Sequence, residues 1–527
     1  MLRFRSLNTV LMLCAVAFPA CSFAAQKTAV AQPRYQNPVL YADYSDPDVI
    51  RVGEDFYLIA SSFHFSPGIP ILHSRDLVHW EITGHVLPKL PFGPAYDMDG
   101  GTRYGGGVWA PAVRFHAGLF YVYFPTPDEG IFVSTAPSMT GPWSRPVAVI
   151  RGPGWEDPCP FWDDDGKAYL VHSRLHAGPL ILHRMSADGM RVLDSGKVIV
   201  EDAKDLPVLE GPKMYKRHGW YYIFAPMGGV GNGSQAVLRS RTIYGPYEYR
   251  IVLAQGGTKI NGPHQGAYVE TPDGRGWFLH FQLRGAHGRV VLLEPVRWVD
   301  DWPVMGESVS ADDAGEPVAG GPLPVVVRGA DEMAPQTSDD FGGATLAPMW
   351  EWNHNPDDAH WSLTERRGFL RLDTMFAPDL FHARNTLTES MQGNAFDFTA
   401  RMETGHMRDG DRAGVSMFDK GLDYVAVVRR GTARVLVFSD HGSSQEIASV
   451  GPGAIELRAH VVGDTAMYFY SVDGGAHFLS AGTPVTMVFS WWKGARPALF
   501  AFNTLRRAGG GYVDFDWVRY RALARAK

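Results

Sequence analysis

Three acidic residues in this chain stand in short motifs that could carry out acid–base chemistry. They are Asp46 in the segment SDPD, Asp157 in WEDP and Glu210 in LEGP. A proline or glycine beside each acid restricts the backbone or allows close approach of another group. Two opposed carboxyl groups can protonate a leaving oxygen and activate a water molecule, which is what glycoside hydrolysis requires. A third carboxylate beside the acid would favour its protonated form near neutral pH.

Each motif taken alone is weak evidence, because an Asp-Pro pair is often only a turn. The choice between Asp46 and Asp48 also stays open from the pattern, since residues two apart in a strand face the same side of a sheet. The interpretation therefore depends on the elements that bring the acids together.

Five similar segments, each a glycine turn followed by an aromatic-rich strand, supply those elements. The turns contain Gly53, Gly118, Gly166, Gly219 and Gly276, at intervals of about 50 residues. Self-similar units of several short strands predict a β-propeller, and five copies predict five blades over residues 34–308. The inner strands of a propeller converge on its axis. Because each acid stands just before the strands of a different blade, we expect all three to meet in one pocket.

After residue 308 the repeat ends and the chain changes character. Residues 309–338 are rich in glycine, proline and polar residues, which predicts a linker. Residues 339–527 return to alternating strands with a different spacing, which predicts a β-sandwich. No stretch shows a sustained helical period, so we expect an all-β fold.

The first 24 residues are typical of an export signal. Arg3 and Arg5 precede an apolar run, and the segment SFA at 22–24 offers the small residues of a cleavage site, so we predict cleavage after Ala24. The apolar run is shorter than the roughly 20 residues of a spanning helix, and we find no later one. The mature protein is expected in the periplasm or outside the cell. Cys159 would then be its only cysteine, which excludes an internal disulfide.

The amino-acid composition indicates which kinds of molecule the protein could bind. The chain is 45% hydrophobic and 20% charged, enough apolar material for large cores. Its formal net charge of −7 gives no support for nucleic-acid binding. Aromatic residues make up 12%, which suits both strand packing and sugar binding.

Further segments complete a resemblance to a known family. In the first half they are YQNPVL (35–40), SFHFSPG (62–68), HSRDL (73–77) and VWAP (108–111), with the acidic motifs in order. On these residues the chain resembles glycoside hydrolase family 43, the β-xylosidases and α-L-arabinofuranosidases built on a five-bladed propeller. The segments WNHNPD (352–357) and DFD (514–516) resemble the C-terminal, concanavalin-like sandwich of its xylosidase members.

The resemblance implies a role for each acid. Asp46 would be the general base, Glu210 the general acid, and Asp157 the residue that orients the acid and tunes its proton affinity. Enzymes of this kind invert the anomeric centre, so the carboxyl groups of Asp46 and Glu210 are expected roughly 6.5–9.5 Å apart.

Four other residues are implied as substrate-binding. Arg289 would grip sugar hydroxyls with its guanidinium fork, or form a surface salt bridge. His264 would lie near the propeller axis and meet the base, water or a metal, or be a structural histidine. Trp109 and Phe63 would form the hydrophobic wall around the terminal sugar, or simply pack within blades.

Three features depart from the family or leave its pattern incomplete. Cys159 stands where relatives often have a small hydroxyl residue, and we interpret it as a buried side chain rather than a nucleophile. The stretch Lys493–Asn503 is the candidate to close the pocket from the sandwich. No cofactor is expected to be required, but some relatives hold a structural calcium ion; Asp339 and Asp514 are our candidates for such a site.

The sequence as a whole predicts an exported, inverting exo-glycosidase that removes terminal β-D-xylosyl residues from xylo-oligosaccharides or arabinoxylan fragments. An alternative prediction is an α-L-arabinofuranosidase, or an enzyme with both activities, which would use the same chemistry on a different terminal sugar. A non-catalytic carbohydrate-binding protein is the alternative from another class, and retention of all three acids argues against it. Neither a Gly-x-Ser-x-Gly elbow nor a His-Glu-x-x-His helix is present.

Overall fold

Strands form nearly all the regular structure of the chain, seen in a computed structural model that describes residues 1, 32–308, 314–506 and 510–523. The helical elements in these ranges are four short 3₁₀ turns, at Pro94–Asp97, Gly285–His287, Ala330–Glu332 and Leu380–His382. Within the same ranges, no helix is long and apolar enough to cross a membrane. The predicted cleavage point after Ala24 lies outside the described residues.

Five antiparallel four-stranded sheets follow one another along residues 48–305 and form the blades of a β-propeller. Their strands are Asp48–Val52, Asp55–Ile59, Gly68–Ser74 and Glu81–Leu87 in blade one; Ala112–His116, Leu119–Thr126, Gly130–Ala136 and Val147–Arg151 in blade two; Trp155–Trp162, Ala168–Arg174, Leu180–Met185 and Lys197–Val200 in blade three; Lys213–Arg217, Trp220–Met227, Ser234–Ser240 and Glu248–Leu253 in blade four; and His264–Glu270, Gly276–Leu283, Arg289–Val299 and Trp302–Met305 in blade five. The predicted five-bladed propeller is confirmed.

A hydrophobic core lies between each pair of neighbouring blades. Tyr169 and Val171 contact the core shared with blade four, whereas Ala168 and Leu170, on the same strand, contact the core shared with blade two. Successive side chains of a strand point to opposite faces. The middle strands of the blades are therefore apolar at nearly every position, which explains the aromatic-rich repeat.

The repeat also depends on left-handed turn glycines before the second strand of each blade. Gly53, Gly118, Gly166 and Gly219 have φ between 66° and 81°, a region that suits glycine. In the fifth copy the left-handed residue is Gly274, with φ 81°, and Gly276 already begins the strand. That copy is offset by two residues from the predicted position.

Apart from Arg34–Gln36 and Gly320–Pro322, which pair with each other, the remaining strands form two sheets that pack over one large core, giving the predicted concanavalin-like sandwich. The first sheet contains Ser443–Ser449, Ala433–Asp440, Tyr424–Arg430, Asp411–Phe418, Arg496–Asn503, Thr386–Thr388, Glu351–Asn353, Met375–Phe376 and Phe65–Ser66. The second contains Trp361–Ser362, Leu370–Asp373, Tyr512–Ala522, Ala395–Glu403, Ala454–Val462, Thr465–Ser471, Leu479–Ser480 and Val485–Thr486.

The two domains share backbone pairing. Phe65–Ser66, from the propeller half of the chain, pairs antiparallel with Glu351–Asn353 and becomes the edge strand of the first sandwich sheet. Part of the segment predicted as a linker is structured on the propeller, since Gly320–Pro322 pairs with Arg34–Gln36. Residues 309–313 of that segment are outside the described ranges. The sandwich is thus joined directly to the loops around the propeller axis.

Candidate active site

A pocket of about 220 Å³ brings together all seven residues predicted for the site. It is lined by Asp46, Phe63, Trp109, Ala110, Glu156, Asp157, His176, Glu210, Gly229, Val230, His264, Gln265, Arg289 and Trp492. The volume is below the roughly 300–1,000 Å³ of pockets for drug-sized ligands, so it suits a small group such as one sugar ring.

Left-handed backbone at the start of the inner strands aims side chains into this pocket. Asp46 and Asp157 both have φ 54°, and Gln265 has φ 36°. Non-glycine residues rarely adopt this conformation. It interrupts strand alternation, so these side chains face the pocket while the residues after them enter the sheet. The register shift between Glu156 and Cys159 marks the same irregularity in blade three.

Asp46 is held as one half of a buried ion pair. Nη1 of Arg289 donates to Oδ1 of Asp46 at 2.7 Å, and Oγ of Ser61 donates to Oδ2 at 2.6 Å. The side chains of Arg289 and Asp46 are 8% and 6% exposed. Arg289 is therefore not the surface salt bridge that the sequence left open; it binds Asp46 inside the pocket.

Asp48, two residues away, belongs to a different network. Its Oδ2 accepts hydrogen bonds from Nη1 of Arg114 and the backbone N–H of Val113, both at 2.8 Å. Nζ of the buried Lys213 lies 3.7 Å from the same oxygen. Asp48 does not line the pocket, so the structure separates the two acids that the pattern could not.

Cys159 belongs to this network of Asp48, Arg114 and Lys213, called the axial network below, and not to the pocket. Its Sγ is 2.9 Å from Nη2 of Arg114 and 3.4 Å from the backbone nitrogen of Met214, both donors. The residue is fully buried. It acts as a small buried acceptor.

Three carboxyl groups of the pocket form a cluster. Glu156, Asp157 and Glu210 each place a carboxylate oxygen within 4.8 Å of the others. Burial raises the pKa of Asp157 well above its ordinary value, and the charges of Glu156, Glu210 and Asp46 raise it further. Oδ2 of Asp157 accepts a 2.8 Å hydrogen bond from the N–H of Gly211, the residue after Glu210. Like charges this close oppose complete ionisation, so the group retains protons toward neutral pH.

His264 contacts the predicted acid. Its Nε2 lies 2.9 Å from Oε1 of Glu210, although without hydrogen-bond alignment, and neither ring nitrogen has another partner. The ring is buried, with 1% of its side chain exposed, and its centroid is 5.4 Å from that of Phe281. The contact places His264 beside Glu210.

Aromatic side chains from both domains form a wall. The ring centroids of Phe63 and Trp109 are 6.2 Å apart, and those of Trp109 and Trp492 are 5.8 Å apart. Trp492 precedes the stretch Lys493–Asn503, which was the candidate for closure. The backbone N–H of Gly494 donates to Oδ2 of Asp43 at 2.7 Å and anchors this turn to the propeller. The sandwich therefore contributes a side chain to the pocket.

Two groups of described side chains have ligand atoms close enough to share a cation. One is the pocket group Glu156, Asp157 and Glu210; the other is Asp423, Asp440 and His441 in the sandwich.

The two residues suggested from the sequence for a calcium site form hydrogen bonds or ion pairs with other side chains. Asp514 is bound by Arg366 and Arg371, and Asp339 accepts from Nε1 of Trp350.

Sequence reasoning missed several pocket residues. Glu156 stands in the WEDP motif, next to Asp157, but the motif was assigned a role only through Asp157. Trp492 lies one residue before the stretch considered for closure. His176, Gly229 and Val230 come from loops with no motif that would have marked them.

Taken together, the pocket contains one carboxylate paired with a cation and a separate cluster of three carboxyl groups, two of which, Glu156 and Asp157, have raised pKa values. Such a set of groups can deprotonate a water molecule and protonate a leaving oxygen.

Comparison with known proteins agrees with this chemistry. Residues 35–303 match the model of glycosyl hydrolases family 43, and residues 338–521 match that of the β-xylosidase C-terminal concanavalin A-like domain. A protein of Xylanibacter ruminicola, named provisionally as a β-xylosidase, is 45% identical over 469 residues, covering 88% of this chain and 85% of its own length.

Two other relatives carry different names. A β-xylosidase of Formosa agariphila is 33% identical, covering 92% of this chain and 90% of its own length. A non-reducing end α-L-arabinofuranosidase of Bacteroides ovatus is 30% identical, covering 94% and 96%.

Among solved structures, a family 43 glycoside hydrolase engineered to show endo-xylanase and exo-arabinofuranosidase activity has a TM-score of 0.83 and 29% identity, covering 93% of this chain and 100% of that one. The match of the family model to more than half of the chain, together with these relatives, establishes that this protein is a glycoside hydrolase of family 43.

Proposed function

We propose that this enzyme is an inverting exo-glycosidase that releases terminal β-D-xylosyl residues from xylo-oligosaccharides or arabinoxylan fragments. The observation that carries the proposal is the asymmetry of the pocket. Asp46 is paired with Arg289 at 2.7 Å, while Glu210 belongs to a cluster with two further carboxyl groups.

Asp46 is the general base in this proposal. The guanidinium of Arg289 and the hydroxyl of Ser61 both donate hydrogen bonds to its carboxylate and fix its orientation. The carboxylate takes a proton from a water molecule, whose oxygen attacks the anomeric carbon from the face opposite the leaving group. Configuration at that carbon is thereby inverted.

Glu210 is the general acid. It donates its proton to the glycosidic oxygen as the carbon–oxygen bond breaks, so the leaving sugar departs as a neutral alcohol. Asp157 accepts a hydrogen bond from the N–H of Gly211, next to Glu210, and lies in the same carboxyl cluster; in this proposal it orients the acid and tunes its proton affinity. His264, 2.9 Å from Glu210, restricts the position of the same carboxyl group.

The exo mode follows from the small pocket and its wall. A volume of about 220 Å³, closed on one side by Trp492, accommodates a terminal residue better than the middle of a polymer. Phe63, Trp109 and Trp492 supply apolar faces for a sugar ring. The names of the relatives from Xylanibacter and Formosa support xylose as that residue.

An α-L-arabinofuranosidase, or an enzyme of dual specificity, is the second candidate. The Bacteroides ovatus relative named for that activity favours it. β-D-Xylopyranose and α-L-arabinofuranose can present similar hydroxyl positions in one small pocket, so the same acid and base would serve either sugar.

The test is hydrolysis of aryl β-D-xyloside and aryl α-L-arabinofuranoside side by side, with Asp46→Ala as the catalytic control. We expect turnover of the xyloside to exceed that of the arabinofuranoside, and both to be lost in the variant. Faster arabinofuranoside turnover would replace the first candidate with the second. Binding of xylo-oligosaccharides without turnover of either substrate would support a carbohydrate-binding protein.

We also propose that the protein is exported, on the basis of the basic and apolar residues before Ala24. The proposed reaction uses two carboxyl groups and a water molecule, so we expect activity to survive treatment with a chelator.

A further inference from the structure

Glu156 is a carboxyl group in the pocket that the proposed reaction does not use. It precedes Asp157 on the same strand, and the left-handed backbone of Asp157 lets both side chains face the pocket. Only 3% of Glu156 is exposed. A charged group buried beside two other carboxyl groups costs stability unless it is bonded or serves a purpose.

The carboxylate of Glu156 binds the backbone of a tight turn. Oε1 accepts from the N–H of Ala177 at 2.8 Å, and Oε2 accepts from the N–H of His176 at 3.2 Å. Both residues are left-handed, with φ 70° at His176 and 57° at Ala177. Two successive non-glycine residues in this region are strained and persist only where the surroundings hold them. Glu156 supplies that restraint.

The side chain of His176 lines the pocket as a result of this turn. Glu156 lies within the same carboxyl group cluster as Glu210, the proposed acid, so the turn stands on the side where the leaving group departs. Because the general acid stands at the bond that is cleaved, a residue presented beside it can contact the leaving sugar.

We propose that Glu156 is a positioning residue that holds the 176–177 turn, and that His176 is a specificity-determining residue for the sugar on the leaving-group side. This inference rests on the proposed function. It predicts that a xylo-oligosaccharide makes a contact with His176 through its second sugar, and that a small xyloside, which lacks this sugar, does not.

The tether depends on the charge of Glu156. Burial raises the pKa of Glu156 to about 7, and the charges of Glu210 and Asp46 add to the rise, while the N–H bonds of the turn oppose it. The other titratable or charged groups that line the same pocket are Asp157, His176, His264 and Arg289. Above about pH 7 the ionised carboxylate accepts both turn N–H groups; below it, protonation removes one acceptor site and weakens the hold on His176.

The experiment compares β-1,4-xylobiose with an alkyl β-D-xyloside. Both have an alkoxide leaving group, so both need the acid equally, but only xylobiose occupies the second sugar position. We expect Glu156→Gln and His176→Ala each to lower the ratio of kcat/KM for xylobiose to that for the alkyl xyloside roughly tenfold, the effect of one good hydrogen bond. In the double variant the second substitution should add little, because both act through one contact.

Controls separate positioning from damage to the fold. Glu54→Gln makes the same substitution at a carboxyl group that is 77% exposed, and should leave the ratio unchanged. The wild-type ratio should fall as pH falls through about 7 and be flat in Glu156→Gln. If Glu156→Gln does not fold, His176→Ala still tests the specificity claim.

An unchanged ratio in His176→Ala, or an equal loss on both substrates, would overturn the inference. Failure of the wild-type enzyme to hydrolyse either substrate would instead overturn the proposed function, so the two failures are distinct.

Discussion

Asp46 and Asp48 are two residues apart, yet they belong to regions that differ in how far the charge of buried carboxyl groups is balanced by neighbouring cations. Asp48 lies in the axial network, where Arg114 and Lys213 surround one of its oxygens. Asp46 lines the pocket, where it has one cation and faces a cluster of three carboxyl groups. Behind the pocket, negative charge is compensated; within the pocket, most of it is not.

The difference separates stability from chemistry. The carboxylate of Asp48, with cations from two other blades beside it, holds inner strands of different blades together. Carboxyl groups crowded without cations share protons, and a shared proton can be given to a substrate. We therefore expect substitutions in the two regions to fail in different ways.

The largest effect is expected from Glu210→Ala. Loss of the general acid should reduce kcat on xylobiose by about 10²–10⁴-fold, because the sugar leaving group cannot depart unprotonated. An aryl xyloside with an activated leaving group should lose much less. Steady-state kinetics on both substrates measures the contrast, and equal losses would remove Glu210 from the acid role.

On the axis, Asp48→Asn should affect stability rather than chemistry. It leaves Arg114 and Lys213 buried with less compensation, which should lower the free energy of unfolding by about 3–5 kcal/mol. Denaturant unfolding measures this, with Glu54→Gln, at an exposed pair with Arg75, as a control expected to cost about 1 kcal/mol or less. A stable but inactive Asp48→Asn protein would contradict the division between the regions.

A smaller effect should follow from Asp157→Asn, seen in the pH profile. Asp157 has a raised pKa from burial and from its carboxyl neighbours, so the cluster keeps a proton to higher pH than an isolated acid would. Removing one carboxyl group removes like charge, and the remaining proton is lost at lower pH. The basic limb of kcat/KM against pH should move downward. A basic limb that does not move would show that Asp157 does not tune the acid.

The propeller could be predicted because its signal is repeated. Five glycine turns before apolar strands reflect a physical need, since each blade strand contributes to the cores on both of its sides. The two-residue offset at Gly274 and Gly276 shows the limit of that reasoning, because a turn can slide along the chain without changing the strand that follows.

The pocket was only partly predictable, for a local reason. Strand alternation cannot separate Asp46 from Asp48, and it places Glu156 on the face opposite Asp157. The left-handed φ of 54° at Asp46 and Asp157 breaks that alternation. An aspartate in the sequence does not by itself indicate this backbone conformation. Trp492 comes from the sandwich, and in the sequence it lies more than 200 residues after the first strand of the last blade. Its contact with Trp109 could therefore be established only from the folded structure.

The central claim is that Asp46 activates water while Glu210 protonates the leaving group. The most direct measurement is NMR of the first sugar released from a β-D-xyloside, recorded before the anomers equilibrate. The account predicts α-D-xylose as the first product, because water enters opposite the leaving group. Release of β-D-xylose first would contradict it, since retention would require a carboxylate to attack the sugar itself.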